Sequence, residues 1–216
     1  MEKIILFDLD GTLTMSGIGI TKCVQYALEK MGHPEENLEK LEIFIGPPLK
    51  KQFMDYLKIS EKEADKAVDF YRERYSTIGI YENELYPNVE KMLKLLKEHG
   101  YSLAVSSSKP EKFVNQILEY FKIQNYFDEV VGATMTEKRT DKSEVIEETM
   151  RRFKRLENRE NIIMVGDKSY DIIGARKQHI PCIAVTYWYG TLEELKKANP
   201  YKMVDSVDEL INIFIK

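Results

Sequence analysis

The sequence predicts a doubly wound α/β protein whose sheet is mainly parallel and into which an all-helical segment is inserted. Three observations predict it. Short apolar runs of the kind found in strands buried on both faces recur along the chain. Stretches with helical periodicity separate them, and alternation of the two is the signature of a layered α/β sheet. One region, residues 15–82, breaks the alternation with several helical patterns in succession.

The first strand is Ile4-Ile5-Leu6-Phe7, cut off by Asp8-Leu9-Asp10-Gly11. Ser102–Val105, Ile162–Val165 and Cys182–Val185 have the same character, and Glu129-Val130-Val131 is a weaker fifth. Between them lie three helical stripes: Val89, Met92, Leu93 and Leu96 before Gly100; Phe113, Ile117, Leu118 and Phe121; and Val145, Ile146, Thr149, Met150 and Phe153. In the interrupting region a first helix carries Ile20, Val24, Ala27, Leu28 and Met31 on one face. A later one starts at Ser60, where Glu63 completes a capping box, and Pro47-Pro48 breaks the middle. The expected organisation is an α/β core of residues 1–14 and 83–216 with a helical domain of residues 15–82.

Composition limits the function. With 216 residues, 43% of them hydrophobic and 31% charged, the chain suits one packed domain with a small insertion. A net charge of −4 with mixed signs lacks the basic footprint of a polynucleotide binder. Cys23 and Cys182 are far apart and outside any C-x-x-C pattern, which argues against a disulfide framework or zinc site. The N-terminal apolar run is too short for a signal peptide or membrane span. The expected setting is cytoplasmic, without membrane partners, as a monomer or weak dimer.

Candidate chemistry collects where strands end, which is where open α/β sheets bind ligands. Asp8-Leu9-Asp10-Gly11-Thr12 follows the first strand, and two carboxylates beside a hydrophobic strand need a cation or donors to offset their desolvation. Gly166-Asp167-Lys168-Ser169-Tyr170-Asp171 follows another. There, Asp167 also reads as a helix N-cap and Asp171 as a first-turn residue. Four carboxylates at two strand ends make a hard-oxygen site suited to Mg²⁺. His33, His99 and His179 all fall at predicted helix ends and read as surface or capping residues.

Phosphate recognition requires donors. Ser106-Ser107-Ser108-Lys109-Pro110 places hydroxyls at a strand end, although a plain turn with Pro110 opening a helix fits the same residues. Lys142 begins a helix, where a cation opposes the macrodipole, so a functional reason for it is expected; Lys138 and Arg139 are neighbouring alternatives.

These residues resemble the four motifs of the haloacid dehalogenase superfamily, in its subfamily with a helical cap inserted after the first motif. The resemblance covers nearly the whole chain and implies a Rossmann-like core. By it, Asp8 is the nucleophile, Asp10 the acid/base, Ser107 the second-motif hydroxyl and Lys142 the third-motif lysine. Asp167 and Asp171 form the acidic fourth motif. The implied metal ligands are Asp8, Asp167 and the backbone carbonyl of Asp10, with Asp171 behind them or as an alternate. Ser108 joins Ser107 and Lys142 as a substrate-binding candidate.

Gly46-Pro47-Pro48-Leu49, Ser107–Pro110 and Tyr187-Trp188-Tyr189-Gly190 resemble members called phosphoglycolate phosphatase or 5′-nucleotidase. Ser107 replaces the commoner Thr, and Trp188 stands where a small residue is usual. The resemblance implies a Mg²⁺-dependent phosphatase acting on a small phosphorylated metabolite or nucleotide, with Ser16, Gly17 and residues 46–48 of the cap selecting among substrates. A phosphomutase of the β-phosphoglucomutase kind, a pyrophosphatase and a non-catalytic phospholigand-binding scaffold are the competing readings. Asp10 favours phosphoryl over dehalogenase chemistry, because dehalogenases of the superfamily lack that second acid.

Overall fold

The computed structural model describes residues 3–136, 138–187 and 191–215. The chain divides into two compact units, residues 1–14 with 85–216, and residues 15–84.

The discontinuous unit is built on β1 (Lys3–Phe7), β2 (Tyr101–Pro110), β3 (Glu129–Ala133), β4 (Ile162–Gly166), β5 (Cys182–Val185) and β6 (Lys202–Val204). They form one parallel sheet in the order β3-β2-β1-β4-β5-β6. Ile4 to Phe7 are all fully buried, as a central strand covered on both faces requires. Residues alternate between those faces: Ile4 and Leu6 join Ile146, Met150, Ile172, Ala175, Cys182 and Leu195 in one cluster, leaving Ile5 and Phe7 for the opposite side. Helices α4 (Val89–Glu98), α5 (Glu111–Tyr120), α6 (Lys142–Arg152), α7 (Ser169–Lys177), α8 (Leu192–Ala198) and α9 (Val207–Ile215) pack around the sheet.

Phe7 pairs with Val105 on one side and with Val165 on the other. Phe7, Val105 and Val165 are therefore level, and β1 and β4 end at this point or one residue on while β2 runs on beside β3. Strand order reverses at β1 and β4, so the crevice expected of a doubly wound sheet opens beside Asp8 and Asp167.

The continuous unit is helical, with no strand among its described residues. It comprises α1 (Gly17–Lys30), a 3-10 segment (Leu38–Phe44), α2 (Leu49–Leu57), α3 (Glu61–Tyr75) and a short 3-10 turn (Gly79–Tyr81). The Ser60 side chain accepts from Glu63 N while the Glu63 carboxylate accepts from Ser60 N, so the expected capping box forms. Pro48 is the N-cap of α2. α1 crosses the 79–81 turn at bare backbone: a Cβ on Gly19 would stand 2.1 Å from Gly79 O. Arg74 bonds to Glu82 at 2.7 Å, which Lys22 joins at 3.0 Å, so the last turn of α3 is tied back to α1.

The differences from the expected elements have local causes. β6 has a single buried residue, Val204, too little to show as an apolar run. β2 continues to Pro110 through polar Ser106–Lys109, because pairing of Ser106 and Pro110 with β3 carries it on, with a register shift between them. Pro110 is the N-cap of α5 instead of its first residue. Among the described residues no helix is long and apolar enough to cross a membrane.

Candidate active site

β1 and β4 deliver the two acids that open the site. Asp8 N donates to Val165 O at 2.9 Å, extending the sheet by one bond before the chain turns. Leu9 O then accepts from Leu13 N at 2.9 Å and Thr14 N at 3.0 Å, folding residues 9–14 into a tight loop. Gly11 has φ +83°, and a Cβ there would lie 2.3 Å from Asp167 Oδ2, so the turn and the adjacent carboxylate both require glycine. Thr12 Oγ1 donates to Asp167 Oδ1 at 3.4 Å, and the Tyr187 hydroxyl donates to Thr12 O at 2.8 Å.

Lys142 is the first residue of α6, after Asp141, whose side chain caps the helix by accepting from Ser143 N at 2.8 Å. Its Nζ reaches Asp8 Oδ1 at 2.5 Å, Asp171 Oδ1 at 2.8 Å and Ser106 O at 3.0 Å. Two carboxylates and a carbonyl thus offset the unfavourable helix end. Its stem passes over Gly174, where a Cβ would meet Lys142 Cγ at 2.9 Å. Asp171 Oδ2 accepts from Lys168 N at 3.0 Å, so Lys168, and not Asp167, occupies the N-cap of α7. Gly166 makes room for Asp171, whose Oδ2 would lie 2.3 Å from a Cβ at 166.

Asp8, Asp167 and Asp171 are buried, and each offers a carboxylate oxygen within 4.8 Å of the others. Burial raises the Asp8 carboxyl to about 6, with Asp171 and Asp10 adding to the effect and Lys142 opposing it. Asp167 is pushed well above the usual carboxylate range by burial, then by Asp171 and Asp8. Burial disfavours the Lys142 ammonium, but Asp171 and Asp8 more than offset this and hold it charged. Asp167 Oδ2 is buried without a hydrogen-bond partner. A buried, oxygen-only donor set with an orphaned carboxylate oxygen fits a hard divalent cation.

The sequence pattern of the haloacid dehalogenase-like hydrolases matches residues 5–185, a span that contains Asp8, Asp10, Lys142, Asp167 and Asp171. The chain belongs to this family. It is 38% identical over 196 residues to a 5′-nucleotidase of Pseudomonas aeruginosa, covering 91% of this chain and 88% of that one. A phosphoglycolate phosphatase of Vibrio parahaemolyticus is 28% identical, with 98% and 95% covered. The crystal structure of a predicted phosphatase from Clostridium acetobutylicum superposes with a TM-score of 0.95 at 44% identity, covering 100% of this chain and 99% of that one.

Within this haloacid dehalogenase-like hydrolase, the expected site residues fall into two groups. Asp8, Lys142, Asp167 and Asp171 meet directly. The Asp10 side chain stands apart from that cluster and pairs with Lys109 at 2.9 Å. Ser107 is buried at the end of β2, where its Oγ accepts from Lys109 N at 3.3 Å, and Ser108 is half-buried beside it. Arg139 is turned to Gly132 O and Glu111, and Lys138 is exposed. His33, His99 and His179 are exposed at helix ends. Trp188, Tyr189 and Gly190 lie outside the described residues. Sequence reasoning missed the tie from Tyr187 to Thr12 and the Lys109–Asp10 pair, since only the topology brings those positions together.

Proposed function

We propose that this hydrolase is a Mg²⁺-dependent phosphatase that releases phosphate from a small phosphomonoester through an aspartyl phosphate on Asp8. The observation that carries the proposal is the buried set of Asp8, Asp167 and Asp171 joined by Lys142. Asp8 and Asp167 side chains and the Asp10 carbonyl are the proposed ligands. Asp171 is engaged by Lys142 and by Lys168 N and supports them from behind. The cation, when bound, neutralises the carboxylates and the phosphoryl oxygens.

The Asp8 carboxylate attacks phosphorus as the bond to the leaving oxygen breaks, and Asp10 gives that oxygen its proton. Lys142 and the Ser107 hydroxyl offset the negative charge developing on the phosphoryl group. Ionised Asp10 then takes a proton from the water that attacks phosphorus, which releases inorganic phosphate and restores the Asp8 carboxylate. Residues 15–84 are the proposed cap that selects the leaving group. The names of the relatives support a small phosphorylated acid or a nucleoside monophosphate as substrate.

A panel of phosphoglycolate, nucleoside monophosphates, β-glucose 1-phosphate and pyrophosphate, scored by kcat/KM with Mg²⁺ or excess chelator, tests the reading. Phosphate release that needs metal and disappears in Asp8→Asn is the expected result. Undiminished release by folded Asp8→Asn protein overturns the mechanism.

A further inference from the structure

We propose that Lys109 is the positioning residue that aims Asp10, an inference that rests on the acid/base reading of Asp10 given above. Its basis begins in the backbone of β2. Ser106 pairs with Val131 and Pro110 with Ala133, so four steps along β2 match two along β3. The surplus lifts Ser107, Ser108 and Lys109 out of the ladder at the end of the sheet where Asp8 emerges.

That bulge is seated on bare backbone. A Cβ on Gly132, midway between the two pairings, would stand 2.5 Å from both Lys109 O and Glu111 N. Glu111 Oε2 accepts from Gly132 N at 3.2 Å and pairs with Arg152 at 2.8 Å, while the Arg139 guanidinium donates to Gly132 O at 2.8 Å. Ser107 Oγ accepts from Lys109 N. The main chain of Lys109 is therefore held by the groups that surround it, whereas a lysine on an ordinary turn swings freely.

The side chain is held too. Lys109 Nζ lies 2.9 Å from Asp10 Oδ2, and the two side chains are only 8% and 11% exposed. A lysine rarely surrenders both hydration and rotamer freedom at such a site without a partner that fixes it. The ion pair occupies one carboxylate oxygen and leaves the other: Asp10 Oδ1 is buried with no hydrogen-bond partner. Oδ1 is thus the atom available to hand a proton to the leaving oxygen and to take one back from water. Lys109 sets where it points.

The test is a double-mutant cycle on the full, Mg²⁺-loaded chain with p-nitrophenyl phosphate and glycerol phosphate. Lys109→Met should lower kcat by roughly 10- to 100-fold with KM shifted less than about threefold, because acid/base assistance is worth about 10²–10⁴-fold and depends on aim. With p-nitrophenyl phosphate, whose leaving group needs little help, phosphoenzyme should accumulate as the water step slows. In an Asp10→Asn background the same Lys109→Met change should cost less than about threefold, the signature of a residue acting through another. Lys109→Arg should recover part of kcat.

Losses that multiply in the Asp10→Asn background overturn the inference. So does a raised KM at unchanged kcat, which would put Lys109 on the substrate itself. Full kcat in Asp10→Asn alone instead overturns the acid/base reading, so the two failures are separable. Should Lys109→Met fail to fold, Gly132→Ala displaces the same backbone and enters the same cycle with the same criteria.

Discussion

Replacing Asp8 by Asn should stabilise the metal-free protein while abolishing turnover. Folding raises the Asp8 carboxyl from 3.8 to about 6, so the native state holds this proton more tightly than the unfolded chain does. The linkage sign follows: below the unfolded value the group is protonated in both states, and stability falls as pH rises through the interval to about 6. Above it, ionised Asp8 costs about 3 kcal/mol at most, because each tenfold gain in proton affinity on folding is worth about 1.36 kcal/mol. Asparagine keeps the shape and carries no charge, so it avoids this cost, although Lys142 then retains only Asp171 as a carboxylate partner. For a chain of this size each kcal/mol moves Tm by about 2–4 °C. Thermal melts in chelator at pH 7.5 should therefore place Asp8→Asn several degrees above wild type, with the gap closing towards pH 4. Adding Mg²⁺ should reverse the order, because wild type gains a ligand that the variant lacks. An Asp8→Asn protein melting at or below wild type in chelator at pH 7.5 would refute the reasoning.

Three further outcomes follow from the same packing. Lys142→Met leaves Asp8 and Asp171 facing each other without their cation; denaturant titration in chelator should show a loss of about 3–5 kcal/mol, partly recovered by adding Asp8→Asn. Gly11→Ala forces a side chain into a positive φ and onto the Asp167 carboxylate, and calorimetric titration should find Mg²⁺ bound roughly 10- to 100-fold more weakly. Gly19→Ala drives a methyl against Gly79 O, so limited proteolysis should speed up within residues 15–84 while cleavage elsewhere is unchanged.

What could be read from the sequence was whatever depends on neighbours in the chain. Ile4–Phe7 and Ile162–Val165 announce buried strands because both faces are covered, and the acids that follow announce the strand ends. The Ser60–Glu63 cap is a four-residue pattern and is equally local. Lys142 was legible by its misfit, a cation at a helix start that nothing local explains. Its actual partners, Asp8 and Asp171, are what resolve the misfit. The unreadable parts depend on long-range packing. The Lys109–Asp10 pair needs the bulge in β2, which needs Gly132 on another strand, and the burial of Ser106–Ser107 is imposed by neighbours their own polarity does not suggest. β6 borrows its pairing from β5 and has too few residues to declare itself.

The placement of β1 also fixes when the acidic cluster can assemble during synthesis. β1 leaves the ribosome before the other strands of this sheet, yet Lys3 pairs with Tyr101 and Ile4 with Ile162, so the strand carrying Asp8 waits until β2 or β4 has been made. Until then Ile4–Phe7 is an uncovered apolar edge, the kind of segment that nascent chains hand to chaperones. Lys142 and Asp167 arrive later still, and Asp171 completes the cluster only when α7 has emerged. A ribosome stalled before that point holds Asp8 without the complete set of its partners. The cluster of Asp8, Lys142, Asp167 and Asp171 is therefore complete only once the sheet has closed around β1 and α7 has formed.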